Sequence, residues 1–393
     1  MKKHIFYIIM LLSIIVIPIK VFSALLGDVN RDNVVGVSDY ILIRKHLLDI
    51  SLLKGDSLKR ADVNGDGKIG TLDYIAIRKY VLYGSVEEKT NPKVHFISLP
   101  EGDAILLESN NKYALIDTGC ATSNLNSYLD SLKINKLEFV LITHNHADHI
   151  RGLISQLLPD NNIKKRNIGS LYLKEPIMGD DDSLIRYNNV LETANRKKNK
   201  GFINNIIVVN KELNDGNSLS LGDIKIVLYN TKVCLDNDCF SCGTNNECVH
   251  TDNTNSIVEL LKINVENKEY KVLLTGDLHD DNHSMKLVSE LSNKIKKIDV
   301  LKLPHHGFAT CAFRYKTRTG EINNNGVKAV NNFNPKFLIV TNKKEIIDKN
   351  NDYCGKISNT ESIFGSKPLY YVHDTNNALI LEFNNSGIKI HKQ

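Results

Sequence analysis

The chain has 393 residues, 42% of them hydrophobic, with 50 Lys and Arg against 45 Asp and Glu and a formal net charge of +5. That length and apolar content suit one small and one large domain with a sizeable core. The mild charge excludes a strongly basic nucleic-acid coat; Lys164-Lys165-Arg166 and Arg196-Lys197-Lys198-Asn199-Lys200 read as solvated loops, with local contact to an anionic polymer as the alternative.

At the N-terminus, Lys2 and Lys3 precede an apolar run from Ile5 to Ile19, and Ser23 and Ala24 offer a cleavage point. The run is shorter than the roughly 20 residues that span a bilayer, so residues 1–23 read as a secretory signal peptide and the protein as secreted or cell-surface associated. An uncleaved anchor is the alternative. No other segment is long and apolar enough to cross a membrane, so no stable span is expected after cleavage.

Residues 26–84 contain a tandem repeat. Asp28, Asn30, Asp32 and Asp39 recur as Asp62, Asn64, Asp66 and Asp73, placing oxygen ligands at loop positions 1, 3, 5 and 12, with backbone carbonyls at Val34 and Lys68. This is the arrangement of a calcium loop, and two Ca²⁺ ions are expected. The sharp turn at position 6 falls on Asn33 and Gly67, and Gly36 or Gly70 at position 9 leaves that ligand to water. A matching amphipathic helix follows each loop, over residues 39–45 and 73–79, and no comparable helix clearly precedes them. With Asp at position 12 and Arg-Lys on each helix, the segment resembles a type I dockerin, which implies a cohesin-type partner. Ions that stabilise a small domain without a partner are the alternative.

Residues 85–92, including Val86-Glu87-Glu88-Lys89-Thr90-Asn91-Pro92, read as a linker to a domain over 93–393. Within it, the apolar run 137–143 delivers His144-Asn145-His146-Ala147-Asp148-His149. His144 and His146 alternate onto one side of extended backbone, and Asp148 and His149 lie beyond the turn where they can face a second ion. Further apolar runs end at Asp117-Thr118-Gly119, at Gly276-Asp277 and at Pro304-His305-His306-Gly307. Strands are predicted over 113–116, 140–142, 224–228, 257–261, 272–274 and 337–340.

In that order and spacing, the motifs from residue 92 onward resemble the metallo-β-lactamase superfamily. Residues 94–104, Asn255-Ser256-Ile257-Val258 and Pro304-His305-His306-Gly307 are most similar to the hydrolase domain of DNA-uptake competence proteins and to phosphorylcholine esterases. The resemblance implies a four-layer αββα sandwich and two metal ions, Zn²⁺ or alternatively Mn²⁺. It assigns His144 and His146 to one ion, Asp148 and His149 to the other, Asp277 as bridging carboxylate, and His305 or His306 as the last ligand. It also implies that Asp117 orients a ligand imidazole, and makes His250 a candidate third ligand for the first ion, although related chains often lack it. Consecutive side chains at a strand end point oppositely, so His306 is expected as ligand and His305 as the group facing substrate. Asp148 and His305 are the expected catalytic groups, and a hydroxide on the metals is the expected nucleophile.

His279 and His283 stand near Asp277, where they could bind substrate or an extra ion; the simpler reading makes 280–283 the polar start of a helix over 284–291. Of the seven cysteines, Cys234, Cys239, Cys242 and Cys248 read as two disulfides within one loop, with a structural zinc as the alternative. A Cys311–Cys354 bridge is possible, and Cys120 is expected as a buried thiol. Three functions compete: a phosphodiester hydrolase acting on nucleic acid or a phosphorylcholine-type ester, a β-lactam or thioester hydrolase, and a non-catalytic assembly protein. The ligand set and the Pro-His-His-Gly motif favour the first.

Overall fold

The structure, a computed structural model, describes residues 26–83, 90–159, 166–233, 240–242, 248–313 and 323–393. The signal segment expected over 1–23 and most of the linker expected over 85–92 lie outside them. The chain forms two compact units, divided after Lys89.

In the N-terminal unit, helices Val37–Leu47 and Thr71–Tyr83 follow the two acidic loops. Asp39 Oδ1 accepts the backbone N–H of Val29 at 2.7 Å and of Asn30 at 2.9 Å, and Asp73 Oδ1 accepts those of Val63 at 2.8 Å and Asn64 at 3.1 Å. The last acidic residue of each loop thus folds it back on its own start. Asn33 at φ 68° and Gly67 at φ 81° make the expected turns, and Arg31 and Gly65 are left-handed as well, at 67° and 71°. Val29, Val35, Ile43, Ala61, Val63 and Ile77 form a small buried core across the repeat, and Tyr40 and Tyr74 stack at 4.7 Å between ring centres.

A short helix, Asp56–Ala61, precedes the second loop; its six residues are not comparable to the 11 and 13 of the helices that follow the loops. Six residues carry too little periodicity to read. The helix is fixed by tertiary contact, since Arg60 pairs with Asp28 of the first loop at 3.0 Å.

The C-terminal unit is built on two sheets. The first has eight strands in the order Gly387–Lys392, Ala378–Asn384, Lys93–Ile97, Ile105–Ser109, Lys112–Ile116, Lys136–Leu141, Asn167–Leu173 and Ile203–Val208. The second has seven, in the order Leu369–Tyr371, Phe337–Val340, Val300–Lys302, Lys268–Leu274, Val258–Val265, Ile224–Tyr229 and Ser218–Leu221. Both sheets are mixed, with antiparallel hairpins on one side and parallel strands on the other.

Strand alternation divides the core in two directions. Phe96, Leu107, Ile116 and Leu141 of the first sheet meet Leu261, Val272, Val300 and Ile339 of the second in a shared interior. The opposite faces bury Leu106, Val140 and Leu171 under helices Leu125–Ser131 and Asp181–Asn199, and Leu260, Leu273 and Leu301 under helices Asn282–Ile295 and Asn324–Phe333. Helix, sheet, sheet and helix layers make the αββα sandwich that the resemblance implies. Asp281 caps the helix Asn282–Ile295 by accepting the Ser284 N–H at 2.8 Å, which bears out the simpler reading of 280–283.

Cys311 and Cys354 form a disulfide. Cys120 is partly exposed rather than buried, because it sits on the turn after Gly119, outside the strand. Cys242 and Cys248 occupy facing backbone positions in a two-stranded ribbon; the pairing expected among the four loop cysteines lies outside the described residues.

Candidate metal centre

The strand Lys136–Leu141 ends beside Lys112–Ile116, so Asp117 and the His144–His149 segment emerge at the same edge of the first sheet. Asp117, at φ 56°, turns its carboxylate back across this edge. Its oxygens accept the Thr143 N–H and hydroxyl, each at 2.8 Å, which fixes the start of the histidine segment. His149 lies on the helix Ala147–Gly152 that follows. Gly102 lets the neighbouring loop pass close by: at φ 89°, a Cβ there would lie 1.8 Å from the Asp148 carbonyl oxygen.

Four expected ligands converge from three segments, Asp148 and His149 on one helix and Asp277 and His306 on two loops. His149 Nε2 lies 3.1 Å and His306 Nε2 3.0 Å from Asp277 Oδ2, while Asp148 Oδ2 lies 3.0 Å from His306 Nε2 and 3.7 Å from His149 Nε2. Ligands about 2.0–2.1 Å from a tetrahedral ion stand about 3.3 Å from one another, so these spacings fit a divalent metal between them. Burial disfavours charge on His149 and His306, but Asp277 and the other nearby carboxylates outweigh it and raise both imidazoles well above their ordinary range. Asp277 is held well below its own range by the same two imidazoles, against burial.

Both imidazoles have a carboxylate at the other ring nitrogen. His149 Nδ1 meets Asp117 Oδ2 at 2.8 Å, and His306 Nδ1 lies 3.2 Å from Asp103 Oδ1 and 3.0 Å from Thr341 Oγ1. Such partners set the tautomer and aim the free nitrogen at a metal. Among the described residues, Asp103, His149, Asp277 and His306 are also one of three groups close enough to share an ion; Asp28, Asp32 and Asp39, and Asp62, Asp66 and Asp73, are the others.

The first-ion pair is adjacent. The His144 ring lies 4.2 Å from that of His149 and 4.8 Å from that of His146. His144 Nε2 is buried without a hydrogen-bond partner, whereas Nδ1 faces the Thr143 and Ser256 hydroxyls at 3.1 and 3.3 Å. An orphaned imidazole nitrogen in a carboxylate-rich pocket fits a metal ligand. His146 Nε2 instead meets Asp180 Oδ2 at 3.3 Å. The backbone of His250 ends a short strand, Cys248–His250, and its side chain lies outside the described residues.

His305 is not in the cluster. Its Nδ1 meets the Thr310 hydroxyl at 2.7 Å, its ring faces His279 at 5.2 Å, and burial lowers its pKa to about 4. The separation of His305 from His306 has a different cause from the one expected. The pair forms a tight turn with both residues left-handed, at φ 50° and 52°, rather than a strand end.

Several neighbours carry no expectation. Asp252 accepts the Asn145 and Ile177 N–H groups at 2.7 and 2.9 Å, pinning the segment between the two first-ion histidines. Lys302, Asp103 and Glu259 are buried at the base of the site. Burial pushes the Glu259 carboxyl well above its usual range, reinforced by nearby Asp117. Lys302 and Glu259 each interrupt an apolar stretch, Val300-Leu301-Lys302-Leu303 and Val258-Glu259-Leu260-Leu261. A charged residue at an inward-facing strand position was the one legible signal of these two; Asp103, in the loop before the strand Ile105–Ser109, carried none.

The arrangement is a buried cluster of imidazoles and carboxylates that could hold a metal ion. The family model for the dockerin type I domain matches residues 26–82, which points to calcium for the acidic loops and implies a cohesin partner. Among the described residues, no helix is long and apolar enough to cross a membrane. No curated protein matches the chain. Similar solved structures include the metallo-β-lactamase fold protein YhfI from Bacillus subtilis, at 14% identity over 74% of this chain and 99% of that one, with a TM-score of 0.40. A diphosphatase of the PhnP family is 13% identical over 74% and 97% of the two chains, with a TM-score of 0.37. The metallo-β-lactamase GOB-18 from Elizabethkingia meningoseptica is 17% identical over 49% and 60%, with a TM-score of 0.28. The model for the Anti-Pycsar protein Apyc1 family matches residues 102–300, just over half of the chain, and the chain belongs to that family.

Proposed function

We propose that the protein is a secreted, metal-dependent phosphodiesterase carried on a cohesin-bearing assembly by its N-terminal module. The observation that carries this reading is the meeting of His149 Nε2 and His306 Nε2 at Asp277 Oδ2, at 3.1 and 3.0 Å, with Asp148 beside them. In this reading Asp148, His149, Asp277 and His306 hold one divalent ion, and His144, His146 and Asp277 hold a second, with His250 as a further candidate ligand. Bound divalent ions supply a nucleophilic water near neutral pH and stabilise negative charge on phosphoryl oxygens.

The protein's own groups do the rest. Asp117 and Asp103 aim the imidazoles of His149 and His306. Asp148, at the open side of the cluster, contacts the reacting water. His305 faces the substrate: Thr310 fixes its Nδ1, and burial keeps the ring neutral and able to hydrogen-bond a substrate oxygen. Opposition to a Pycsar system, in the family's description, is part of the proposal.

Calcium in the paired loops and a cohesin on the N-terminal unit complete the reading. The test is turnover of a panel holding a chromogenic phosphodiester, a small cyclic phosphodiester, single-stranded DNA, a phosphorylcholine ester and a chromogenic lactam. Metal-dependent cleavage confined to phosphodiesters supports it; cleavage of the lactam alone overturns it.

A further inference from the structure

We infer that Lys302, with Asp103, is a positioning pair that presents Asp277 and His306 to metal. The inference rests on the metal-dependent reading above. Lys302 ends the strand Val300–Lys302, third in the seven-stranded sheet, where alternation places it on the sandwich interior with Val300. It is fully buried. An ammonium in that position persists only if fixed charges and acceptors satisfy it.

Its partners are the site itself. Lys302 Nζ donates to the Gly276 carbonyl at 2.9 Å, pairs closely with Asp103 Oδ2 and lies 3.6 Å from Asp277 Oδ1. Asp277 is thereby held on three sides. Its N–H donates to Ser256 Oγ at 3.0 Å, the carbonyl before it is taken by Lys302, and Oδ1 faces the ammonium. Only Oδ2 remains turned toward His149 and His306. A carboxylate so restrained offers one oxygen to metal rather than two.

The same ammonium orders the far side of His306. Asp103 Oδ2 is occupied by Lys302, which leaves Oδ1 against His306 Nδ1 at 3.2 Å. With Nδ1 between Asp103 and Thr341, Nε2 faces Asp148 and Asp277. One buried cation therefore orients two ligands that come from different loops. A purely structural lysine would need no carboxylate on each side of a ligand imidazole.

The experiment uses the full, calcium-saturated chain. Wild type, Lys302→Met and Asp103→Asn are titrated with Zn²⁺ against a chromogenic chelator, and with Co²⁺ followed by its visible absorption. Far-UV circular dichroism and thermal melting run in parallel. Lys302→Met matches the stem in shape without the charge, and Asp103→Asn keeps the loop side chain isosteric if the lysine variant does not fold. Loss of a positioning contact is expected to weaken the metal equivalent held by His306 by about 10–100-fold, alter the Co²⁺ spectrum and cost the second equivalent, which shares Asp277, less. Wild-type affinity for both equivalents in a folded variant, even with a lower melting temperature, overturns the inference. A wild-type chain that binds no transition metal overturns instead the metal-dependent reading.

Discussion

Asp117 Oδ2 lies 2.8 Å from His149 Nδ1 while also accepting the Thr143 hydroxyl at 2.8 Å, so one buried carboxylate fixes both the ligand imidazole and the strand end that launches the histidine segment. Asp117→Ala should therefore weaken metal binding by about 10–100-fold, or about 1.4–2.7 kcal/mol. Chelator competition measures this. Unchanged affinity would remove Asp117 from the support of the site.

The two adjacent histidines should separate experimentally. His306→Ala removes a nitrogen that lies 3.0 Å from both Asp148 and Asp277, and metal content per chain should fall. His305→Ala removes a ring held by Thr310 outside the cluster, so metal content should persist while turnover falls by about 10²–10³-fold, the range for loss of one hydrogen bond to a reacting oxygen. Elemental analysis beside kinetics decides; the reverse pattern exchanges the roles.

Gly102 tests the packing under Asp148. Alanine there meets the Asp148 carbonyl oxygen at 1.8 Å with a backbone at φ 89°, and the loop must move. Overpacking of this kind costs about 1–3 kcal/mol, and the displaced Asp148 should weaken metal binding. A Gly102→Ala chain with wild-type melting and metal affinity contradicts this contact.

Much of this site was legible because its chemistry is concentrated in short motifs. His144, Asp148 and His149 stood out by residue type and spacing, while Asp277, His306 and the sandwich were what the family resemblance of those motifs implied. Asp103 and Lys302 were not legible, since their roles depend on contacts between loops distant in sequence. The same holds for Asp180 and Asp252, whose carboxylates reach His146 and Asn145 across the fold. The His305–His306 turn shows a different limit. Alternation predicted that the two rings diverge, but consecutive left-handed residues, which strand periodicity does not anticipate, produce the divergence.

Lys174 gives a pH dependence away from the metal ligands. Its ammonium donates to the Asn230 carbonyl at 2.5 Å and the Asn255 carbonyl at 2.6 Å, and burial lowers its pKa to about 7. Between about pH 7 and the ordinary lysine value of about 10.4, the unfolded chain binds the extra proton, so this residue's contribution to stability rises with pH. Below pH 7 both states are protonated and the contribution is flat. Denaturant unfolding at pH 7.5 and 9.5 should show the rise in wild type and a smaller one in Lys174→Met; equal slopes would contradict it.

The acidic loops predict a folding switch local to the N-terminal unit. Asp28, Asp32 and Asp39 crowd together, as do Asp62, Asp66 and Asp73, and without a cation their mutual repulsion opposes the turn. In the full chain, a calcium-selective chelator should accelerate amide exchange across residues 26–83 and leave strand amides after residue 90 protected. Protection that persists through residues 26–83 would mean the loops fold without calcium.

Metal stripping and readdition, with turnover of a phosphodiester read at each stage, addresses the central claim most directly. The account predicts about two Zn²⁺ or Mn²⁺ ions per C-terminal unit, loss of cleavage when they are removed, recovery when they are restored, and no recovery in Asp148→Ala. Full cleavage by the stripped chain, or by Asp148→Ala, would contradict it.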